Sequence, residues 1–222
     1  TAYAFAKRGY EVLVLEAASA PATAGSGNPQ GMLYLKLSAF ETAQSELLLS
    51  GFAYLRRLLT ELSAEGKLIK GQDWEDCGVL QLAYNDGERK RQAKLVKKFS
   101  SDLLYKVTQE EASKLAGVEL TSGGLFFPAA GWVAPKALTA AFLNHPNIVL
   151  KTGVKVEEII PEKALKTLAE IDAFEALSPE ERFRELGWTL RGREAGDAEA
   201  FSYRAKIVIL ANAERVIDFP QL

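Results

Sequence analysis

The chain has very few of the residues on which metal and nucleophilic chemistry depend. Its 222 residues include one cysteine, Cys77, and one histidine, His145. A single cysteine cannot form an internal disulfide, and the two residues together are too few for a zinc cluster or for a Ser-His or Cys-His triad. His145 stands in Asn-His-Pro-Asn, which predicts a turn and not a catalytic base. We therefore expect no metal site and a reducing compartment, the cytoplasm.

The chain also lacks an excess of charge and any long apolar run. Its 27 basic and 29 acidic residues give a net charge of −2, so no overall basic field indicates nucleic acid. No apolar stretch reaches transmembrane length and no signal-peptide pattern is visible, so we expect no membrane partner. The hydrophobic share of 48% is enough for one large domain or two small ones.

The first sixteen residues have the pattern of the second half of a dinucleotide-binding βαβ unit. A helix of small residues is followed by Gly9, typical of a left-handed helix end, and by the apolar run 12–15, typical of a parallel strand buried on both faces. Glu16 then stands where such folds place an acid that accepts hydrogen bonds from a ribose. The glycine loop of such a unit would lie just before Thr1, so we expect a fragment of a longer protein. An ordinary strand that ends in a solvated glutamate is the alternative.

A loop of small residues follows, from position 17 to position 31. Glycines that permit close backbone approach alternate in it with hydrogen-bonding side chains: Gly25, Ser26, Gly27, Asn28, Gln30 and Gly31. Long irregular segments inside compact domains are usually functional, which favours a ligand-lining loop over a plain surface connection.

Hydrophobic periodicity and capping signals predict the elements of the remaining chain. Helices are predicted over 42–62, 88–103, 108–117 and 135–144, and a charged helical insertion without an expected function over 161–186. Strands are predicted over 74–84, from 123, over 148–151, 154–159 and 188–191, and as a last buried strand over 205–212. Four lysines share one face of the second of these helices: Lys90, Lys94, Lys97 and Lys98. This face either is simply solvated or binds the phosphates of an RNA.

The order of these pieces resembles the D-amino-acid-oxidase-like family of FAD-dependent amine oxidases. The resemblance implies FAD as cofactor, with Glu16 at the ribose and residues 24–33 along the pyrophosphate and the flavin. In that segment Ser26, Gly27, Asn28, Gln30 and Gly31 are the implied cofactor-binding residues. Val154 would contact the adenine through its backbone, and Ala211 would lie in a small-residue turn that returns to the cofactor.

The resemblance also implies an α/β fold with α+β character. A Rossmann-like FAD-binding domain, here without its N-terminal glycine loop, would contain an inserted β-sheet substrate domain. The expected boundaries are 1–72 and 135–222 for the two parts of the FAD-binding domain and 73–134 for the substrate domain.

Four blocks narrow the resemblance to the oxidoreductase half of bifunctional bacterial enzymes that make 5-methylaminomethyl-2-thiouridine in tRNA. The blocks are residues 26–34, 76–82, 112–118 and 123–132. This resemblance implies oxidative removal of the carboxymethyl group from 5-carboxymethylaminomethyl uridine at the tRNA wobble position. It also implies an S-adenosylmethionine-dependent methyltransferase domain in the same parent chain. Tyr34 and Trp132 are candidates to stack on the extruded uridine, with an ordinary packing role as the alternative.

Two other functions remain open from the sequence. The same scaffold suits an oxidase of glycine, sarcosine or a D-amino acid, and the segment could instead be a non-catalytic structural or docking piece. The catalytic residues, and the basic side chain that would hold the substrate carboxylate, are not identified by any pattern.

Overall fold

The chain folds into two compact units in a computed structural model that describes residues 1–40, 42–163, 167–195, 200–211 and 219. The first unit combines Thr1–Pro21 with the described part of His145–Leu222, and the second is Ala22–Asn144. The domain boundaries expected at residues 72 and 134 stay a prediction.

Helices and strands alternate irregularly along the described residues. The helices are α1 (Ala2–Ala6), α2 (Ala43–Ala64), α3 (Asp86–Lys98), α4 (Gln109–Ala116), α5 (Pro135–Leu143), α6 (Leu168–Glu175) and α7 (Pro179–Glu185), with a 3₁₀ helix at Gly25–Gly27. The strands are β1 (Val12–Glu16), β2 (Gly31–Leu33), β3 (Trp74–Glu75), β4 (Val79–Leu82), β5 (Tyr105–Val107), β6 (Gly124–Phe127), β7 (Gly131–Val133), β8 (Ile148–Thr152), β9 (Val154–Pro161), β10 (Trp188–Glu194) and β11 (Ala200–Ala205).

The first unit contains a parallel pair of strands and a separate antiparallel sheet. β1 pairs in parallel with β8, from Val12 opposite Ile148 to Glu16 opposite Thr152. The antiparallel sheet has the order β11-β10-β9. Gly9 ends the first helical segment with φ of 87°, as the sequence predicted. Strand β1 is not buried on both faces as expected, because β8 is its one described neighbour and Leu13 stays 41% exposed.

The last predicted strand differs from the structure. The strand in this region is β11, which ends at Ala205, and residues 207–211 have no regular structure. Ile207 and Ile209 are about half exposed, at 45% and 50%. An apolar run needs a hydrogen-bonded neighbour to become a buried strand, and none of the described strands pairs with these residues. Asn212 lies outside the described residues.

The second unit contains two small antiparallel sheets and the longest helix. The sheet orders are β2-β7-β3 and β4-β6-β5. Two glycines let their strands approach closely: a Cβ would lie 2.1 Å from the Gln81 carbonyl oxygen at Gly124 and 1.9 Å from the Glu75 carbonyl oxygen at Gly131. The core cluster of this unit consists of Leu35, Leu37, Leu95, Leu104, Leu125, Phe127 and Ala130.

Two helices of the second unit begin where capping residues predict. Thr42 caps α2, and Thr108 and Glu111 form the predicted capping box of α4, which ends at Gly117 in the left-handed region. Helix α3 starts earlier than predicted because Asn85, expected in a turn, accepts a hydrogen bond from the Glu88 N–H as the N-cap. It also stops earlier, since the backbone is extended at Phe99.

The predicted insertion 161–186 is helical, as expected. It carries α6 and α7, each opened by a capping box, with Thr167 and Glu170 in the first and Ser178 and Glu181 in the second. No helix in the described part of the chain is both long and apolar enough to cross a bilayer. Nor do the described residues bring three or more His, Cys, Asp or Glu side chains together as a metal site would require.

Candidate cofactor site

Glu16 lies at the carboxyl end of β1, beside the end of β8. Its Oε1 atom accepts a hydrogen bond of 2.8 Å from the backbone N–H of Ala18. A carboxylate has about four acceptor positions, so this half-buried group keeps capacity for the two hydroxyl groups of a ribose. Ligands of open parallel sheets bind at the carboxyl ends of the strands, which is where Glu16 stands.

The turn that follows β8 is tied to the loop that follows β1. The Gly153 N–H donates to the Ala18 carbonyl oxygen at 2.8 Å, and the Gly153 carbonyl oxygen accepts from the Ala195 N–H at 2.8 Å. Gly153 has φ of 69°, which favours glycine, and a Cβ there would also crowd Ala195. This turn holds Val154 beside the Glu16 loop, and Val154 as a whole is 3% exposed.

Sequence reasoning did not identify Gly153 and Ala18 as parts of this end of the first unit. The signal for Gly153 was present, because a glycine between two apolar strands marks a tight turn. The signal for Ala18 was absent, since a backbone N–H and carbonyl carry no residue preference. Ala211 is exposed and without regular structure, and among the described residues it forms no hydrogen bond with Glu16 or Val154.

The loop glycines of the second unit do not serve its own packing. Gly25, Gly27 and Gly31 all have negative φ. A Cβ at Gly25 would meet nothing within 4 Å, and at Gly27 and Gly31 it would make ordinary contacts of 3.4–3.5 Å. Neither backbone conformation nor crowding therefore requires glycine here, in contrast to Gly124. Glycine at these positions leaves room for a ligand to approach the backbone closely.

The polar side chains of this loop are available to a ligand. Ser26, Asn28 and Gln30 are exposed, and their side chains form no hydrogen bond with another described residue. The loop starts at Ala22 with φ of 57°, a left-handed conformation that costs a residue with a Cβ about 1–2 kcal/mol. Strained backbone of this kind occurs preferentially at ligand sites.

Helix α5 begins beside the loop. It packs against the 3₁₀ helix Gly25–Gly27, and Pro135 at its first position lies 3.4 Å from the place of a Gly31 Cβ. Ala134 provides no side-chain cap, so the first N–H groups of α5 add donors next to the loop. The residue types around this loop, three glycines, three polar side chains and free backbone donors, fit a phosphate-bearing cofactor.

An exposed apolar face follows the loop on the sheet β2-β7-β3. Met32 lies directly opposite Trp132, and Glu75 lies opposite Trp132 on the other side. Met32 is 64% exposed and Tyr34 is 46% exposed, while Trp132 is half-buried. Met32 thus neighbours both predicted base-stacking residues. Trp132 lies opposite it on the adjacent strand, and Tyr34 follows it by two residues in the chain. Sequence reasoning missed Met32, although it is the chain's one methionine in an alternating strand.

A shallow groove continues from this face toward helix α2. Its volume is about 220 Å³, and its lining is apolar apart from backbone and the Tyr34 hydroxyl: Met32, Leu33, Tyr34, Leu35, Leu47, Leu48, Gly51, Phe52 and Leu55. Open apolar surface next to a few polar groups is typical of a site for an aromatic or heterocyclic ligand.

The basic residues near the apolar face differ in whether they are already paired. Lys70 lies 2.5 Å from Asp76 and 3.6 Å from Glu75, and the hydrogen bond to Asp76 raises the pKa of Lys70. Lys36 forms no ion pair or hydrogen bond with a described residue. Exposure alternates along this segment, with Met32, Tyr34 and Lys36 exposed and Leu33, Leu35 and Leu37 partly or fully buried. Lys36 is therefore an exposed cation four residues after Met32 and two after Tyr34.

Other titratable groups have structural roles. The His145 Nδ1 atom accepts a hydrogen bond from the Asn147 N–H at 3.2 Å inside the predicted turn. In the first unit Lys151 donates to the Tyr203 hydroxyl, and this bond, together with the charge of Glu194, raises the pKa of Lys151. Lys151 is thereby engaged within its own unit.

A family model and similar proteins of known name both match nearly the whole chain. The family model described as FAD dependent oxidoreductase matches residues 1–212. Two relatives named tRNA 5-methylaminomethyl-2-thiouridine biosynthesis bifunctional protein MnmC match nearly the whole chain. The one from Pseudomonas entomophila is 43% identical over 220 residues, 99% of this chain and 29% of the relative. The one from Pseudomonas fluorescens is 51% identical over 223 residues, 100% of this chain and 28% of the relative.

Solved structures agree at the level of the fold. Glycine oxidase from Geobacillus kaustophilus superposes with a TM-score of 0.63 at 18% identity, covering 90% of this chain and 49% of that chain. Glycine oxidase from Bacillus cereus gives a TM-score of 0.58 at 21% identity. The chain thus spans less than a third of the curated relatives and about half of the oxidase chains.

Proposed function

Because the chain belongs to the family of FAD-dependent oxidoreductases, we propose that it performs the oxidative step of a tRNA modification. The step removes the carboxymethyl group from 5-carboxymethylaminomethyl-(2-thio)uridine at the wobble position and leaves 5-aminomethyl-(2-thio)uridine. The observation that carries this proposal is the identity of 43–51% over essentially the whole chain with relatives named for the biosynthesis of 5-methylaminomethyl-2-thiouridine in tRNA. The identity of 18–21% with glycine oxidases supports the fold alone.

The cofactor of the family is FAD. Glu16 would accept hydrogen bonds from its ribose, and the Val154 backbone would meet its adenine. Ser26, Gly27, Asn28, Gln30 and Gly31 would line the pyrophosphate and the flavin. Ala211 is the remaining proposed cofactor contact. When bound, FAD would supply the two-electron oxidation of the substrate's amine to an imine, which water would hydrolyse to the aminomethyl nucleoside and glyoxylate.

The chain's own residues would bind and orient the substrate. Tyr34 and Trp132 offer aromatic surfaces on which a uridine taken out of its loop can stack, with Met32 between them. An apolar wall of this kind excludes water from the substrate's secondary amine. Desolvation disfavours the protonated amine, and only the neutral amine can give up its electrons.

Lys36 is the best-placed partner for the substrate carboxylate. It is exposed, four residues after Met32 and two after Tyr34, and is unpaired among the described residues. Lys70, the other basic residue near Trp132 considered above, is neutralised by Asp76 and Glu75. An ammonium group that holds the carboxylate would fix the carbon to be oxidised relative to the flavin.

The partners and the location follow from this substrate. The proposed substrate is tRNA, which places the protein in the cytoplasm, and the parent chain would also carry an S-adenosylmethionine-dependent methyltransferase. No metal and no membrane take part in the proposed reaction.

The proposal is tested by product analysis with the protein expressed from its complete reading frame. Incubation with tRNA that carries carboxymethylaminomethyl uridine should give the aminomethyl nucleoside and one equivalent of glyoxylate, as measured by mass spectrometry of the digested tRNA. Unchanged tRNA together with oxidation of glycine, sarcosine or a D-amino acid would instead show an amino-acid oxidase. Turnover of neither would leave a structural or docking role.

A further inference from the structure

Helix α3 carries a concentrated positive charge on a chain that is slightly acidic overall. Four lysines lie at spacings of four, seven and eight residues: Lys90, Lys94, Lys97 and Lys98. At about 100° per residue they fall within a sector of about 100° on the helix. Gln92 and Leu95 are buried on the opposite side, with 5% and 0% exposure, so the lysines face solvent. We call this surface the lysine face.

The helix neutralises its own acidic residues without using these lysines. Asp86 pairs with Arg89 at 2.5 Å, and Glu88 pairs with Arg91 at 2.6 Å. None of the four lysines forms an ion pair with a described residue. The lysine face therefore keeps four uncompensated charges within about two and a half turns, an arrangement that favours a polyanion.

An exposed aromatic ring adjoins the lysine face. Phe40 is 68% exposed, and the Lys94 ammonium lies 5.3 Å from its ring centre. Aromatic surface combined with lysines is typical of proteins that bind single-stranded RNA, because bases stack on the ring while the cations meet phosphates.

The lysine face is joined to the proposed substrate site through a short and firmly held segment. Arg91 on α3 donates a 2.8 Å hydrogen bond to the Leu37 carbonyl oxygen, between Tyr34 and Phe40 in sequence. The step from Tyr34 to Phe40 spans at most about 20 Å of extended chain. That distance equals about six stacked nucleotides at a rise of ~3.4 Å each. A free amino acid in the site cannot reach the lysine face, whereas a tRNA can.

We propose that the lysine face of α3 binds the phosphate backbone of the tRNA whose wobble uridine occupies the site beside Tyr34. This inference rests on the proposed function, since it takes tRNA as the substrate. The lysine face adds affinity for the macromolecule and leaves the chemistry at the uridine unchanged.

The test compares two double variants of the protein expressed from its complete reading frame. K94Q/K97Q removes two charges from the lysine face, and K114Q/K163Q removes two exposed lysines elsewhere. The dissociation constant for unmodified tRNA is measured from about 50 to about 300 mM KCl. Over such a range the release of counterions from the phosphates makes the affinity fall steeply with salt. K94Q/K97Q should weaken binding about tenfold and lower the log–log salt slope by about two, and the variant with all four lysines changed should lower it by about four.

Turnover separates this inference from the proposed function. With modified tRNA, K94Q/K97Q should raise KM with kcat unchanged. Equal tRNA affinity and salt slope in K94Q/K97Q and wild type would overturn the inference, as would an equal loss in K114Q/K163Q. Binding of polyglutamate, a model of an acidic protein, is measured with the same variants. If K94Q/K97Q binds polyglutamate more weakly than wild type but binds tRNA equally well, the inference is overturned in favour of an acidic protein partner. A wild-type protein that does not oxidise modified tRNA would contradict the proposed function, which is a distinct result.

Discussion

At the scale of single residues, the proposed role of Glu16 at the ribose is the most direct to test. One of its carboxylate oxygens holds the Ala18 N–H, and the group stays half-buried at the end of β1. E16Q keeps an acceptor for Ala18 and removes the charge that strengthens bonds from a ribose. We expect about tenfold weaker FAD binding, since a hydrogen bond to a charged group contributes about 1.5 kcal/mol.

This expectation is measured by titrating the apoprotein with FAD and following flavin fluorescence. E11Q is the matched control, because Glu11 is exposed and immediately precedes the same strand. Equal FAD affinity of E16Q and E11Q would contradict the role assigned to Glu16.

Lys36 is tested through the substrate's carboxylate. K36Q should raise KM for carboxymethylaminomethyl tRNA about tenfold, the value of one lost charge-assisted bond. Its affinity for fully processed tRNA, which has no carboxylate at this position, should match that of wild type. K114Q is the control, since Lys114 is exposed on α4. A KM unchanged in K36Q would remove Lys36 from the site.

Glu88 gives the fold a pH-dependent element. Two hydrogen bonds from Arg91, of 2.6 and 2.8 Å, hold the pKa of the Glu88 carboxyl below its usual value. A carboxyl whose pKa is lower in the folded state stabilises that state above its unfolded pKa, about 4.3, and this contribution is lost as the pH falls through the folded value. E88Q should therefore reduce the free energy of unfolding by about 1–3 kcal/mol at pH 7, with the difference from wild type shrinking below about pH 4.

Urea unfolding at pH 7 and at pH 3 measures this difference. E119Q is the control, because Glu119 is exposed and outside any described ion pair. A loss in E88Q that is the same at both pH values would contradict the role of the Glu88 charge.

Capping and turn residues were the most predictable part of the chain at this scale. Thr108 with Glu111, Ser178 with Glu181, and Gly9 all stand where the sequence predicts, because their signals act within four residues. Met32 and Lys36 could not be predicted, since their use depends on which side of the chain the packing of Leu35 and Leu37 leaves exposed.

At the scale of elements, the glycine-rich loop and the paired strands use glycine for different purposes. In the loop, a Cβ at Gly25 meets nothing within 4 Å, whereas at Gly124 it would lie 2.1 Å from the Gln81 carbonyl oxygen. G25A should leave the free energy of unfolding unchanged within about 0.5 kcal/mol and weaken FAD binding about tenfold. G124A should instead destabilise the fold by about 1–3 kcal/mol through overpacking.

Each variant serves as the other's control when urea unfolding of the apoprotein is combined with FAD titration. FAD binding by G25A that equals wild type would show that the loop needs no glycine there for the cofactor. A G124A variant as stable as wild type would contradict the close approach of β4 and β6.

The positions of the helices and strands were predicted better than which strands pair with each other. Helix α2 agrees with the 42–62 prediction because its apolar spacing and its Thr42 cap are local signals. The predictions that β1 is buried on both faces and that a buried strand runs from residue 205 were wrong, because both depend on which strands become neighbours. Tertiary pairing of this kind leaves no mark in a short window of sequence.

At the scale of the whole molecule, the distribution of charge is the feature that favours the proposed tRNA substrate over a free amino acid. The net charge of −2 conceals the lysine face of α3, because acidic residues elsewhere balance it. The chain covers 28–29% of the length of relatives whose names call them bifunctional, and the methyltransferase of the parent chain stays a proposal.

The absorption spectrum of the protein, expressed from its complete reading frame, tests the central claim most directly. The measurement is made without air, before and after adding carboxymethylaminomethyl tRNA, and again with glycine and sarcosine. The account predicts visible flavin bands that bleach with the modified tRNA and persist with the free amino acids. Bleaching by glycine or sarcosine alone, or the absence of flavin bands, would contradict it.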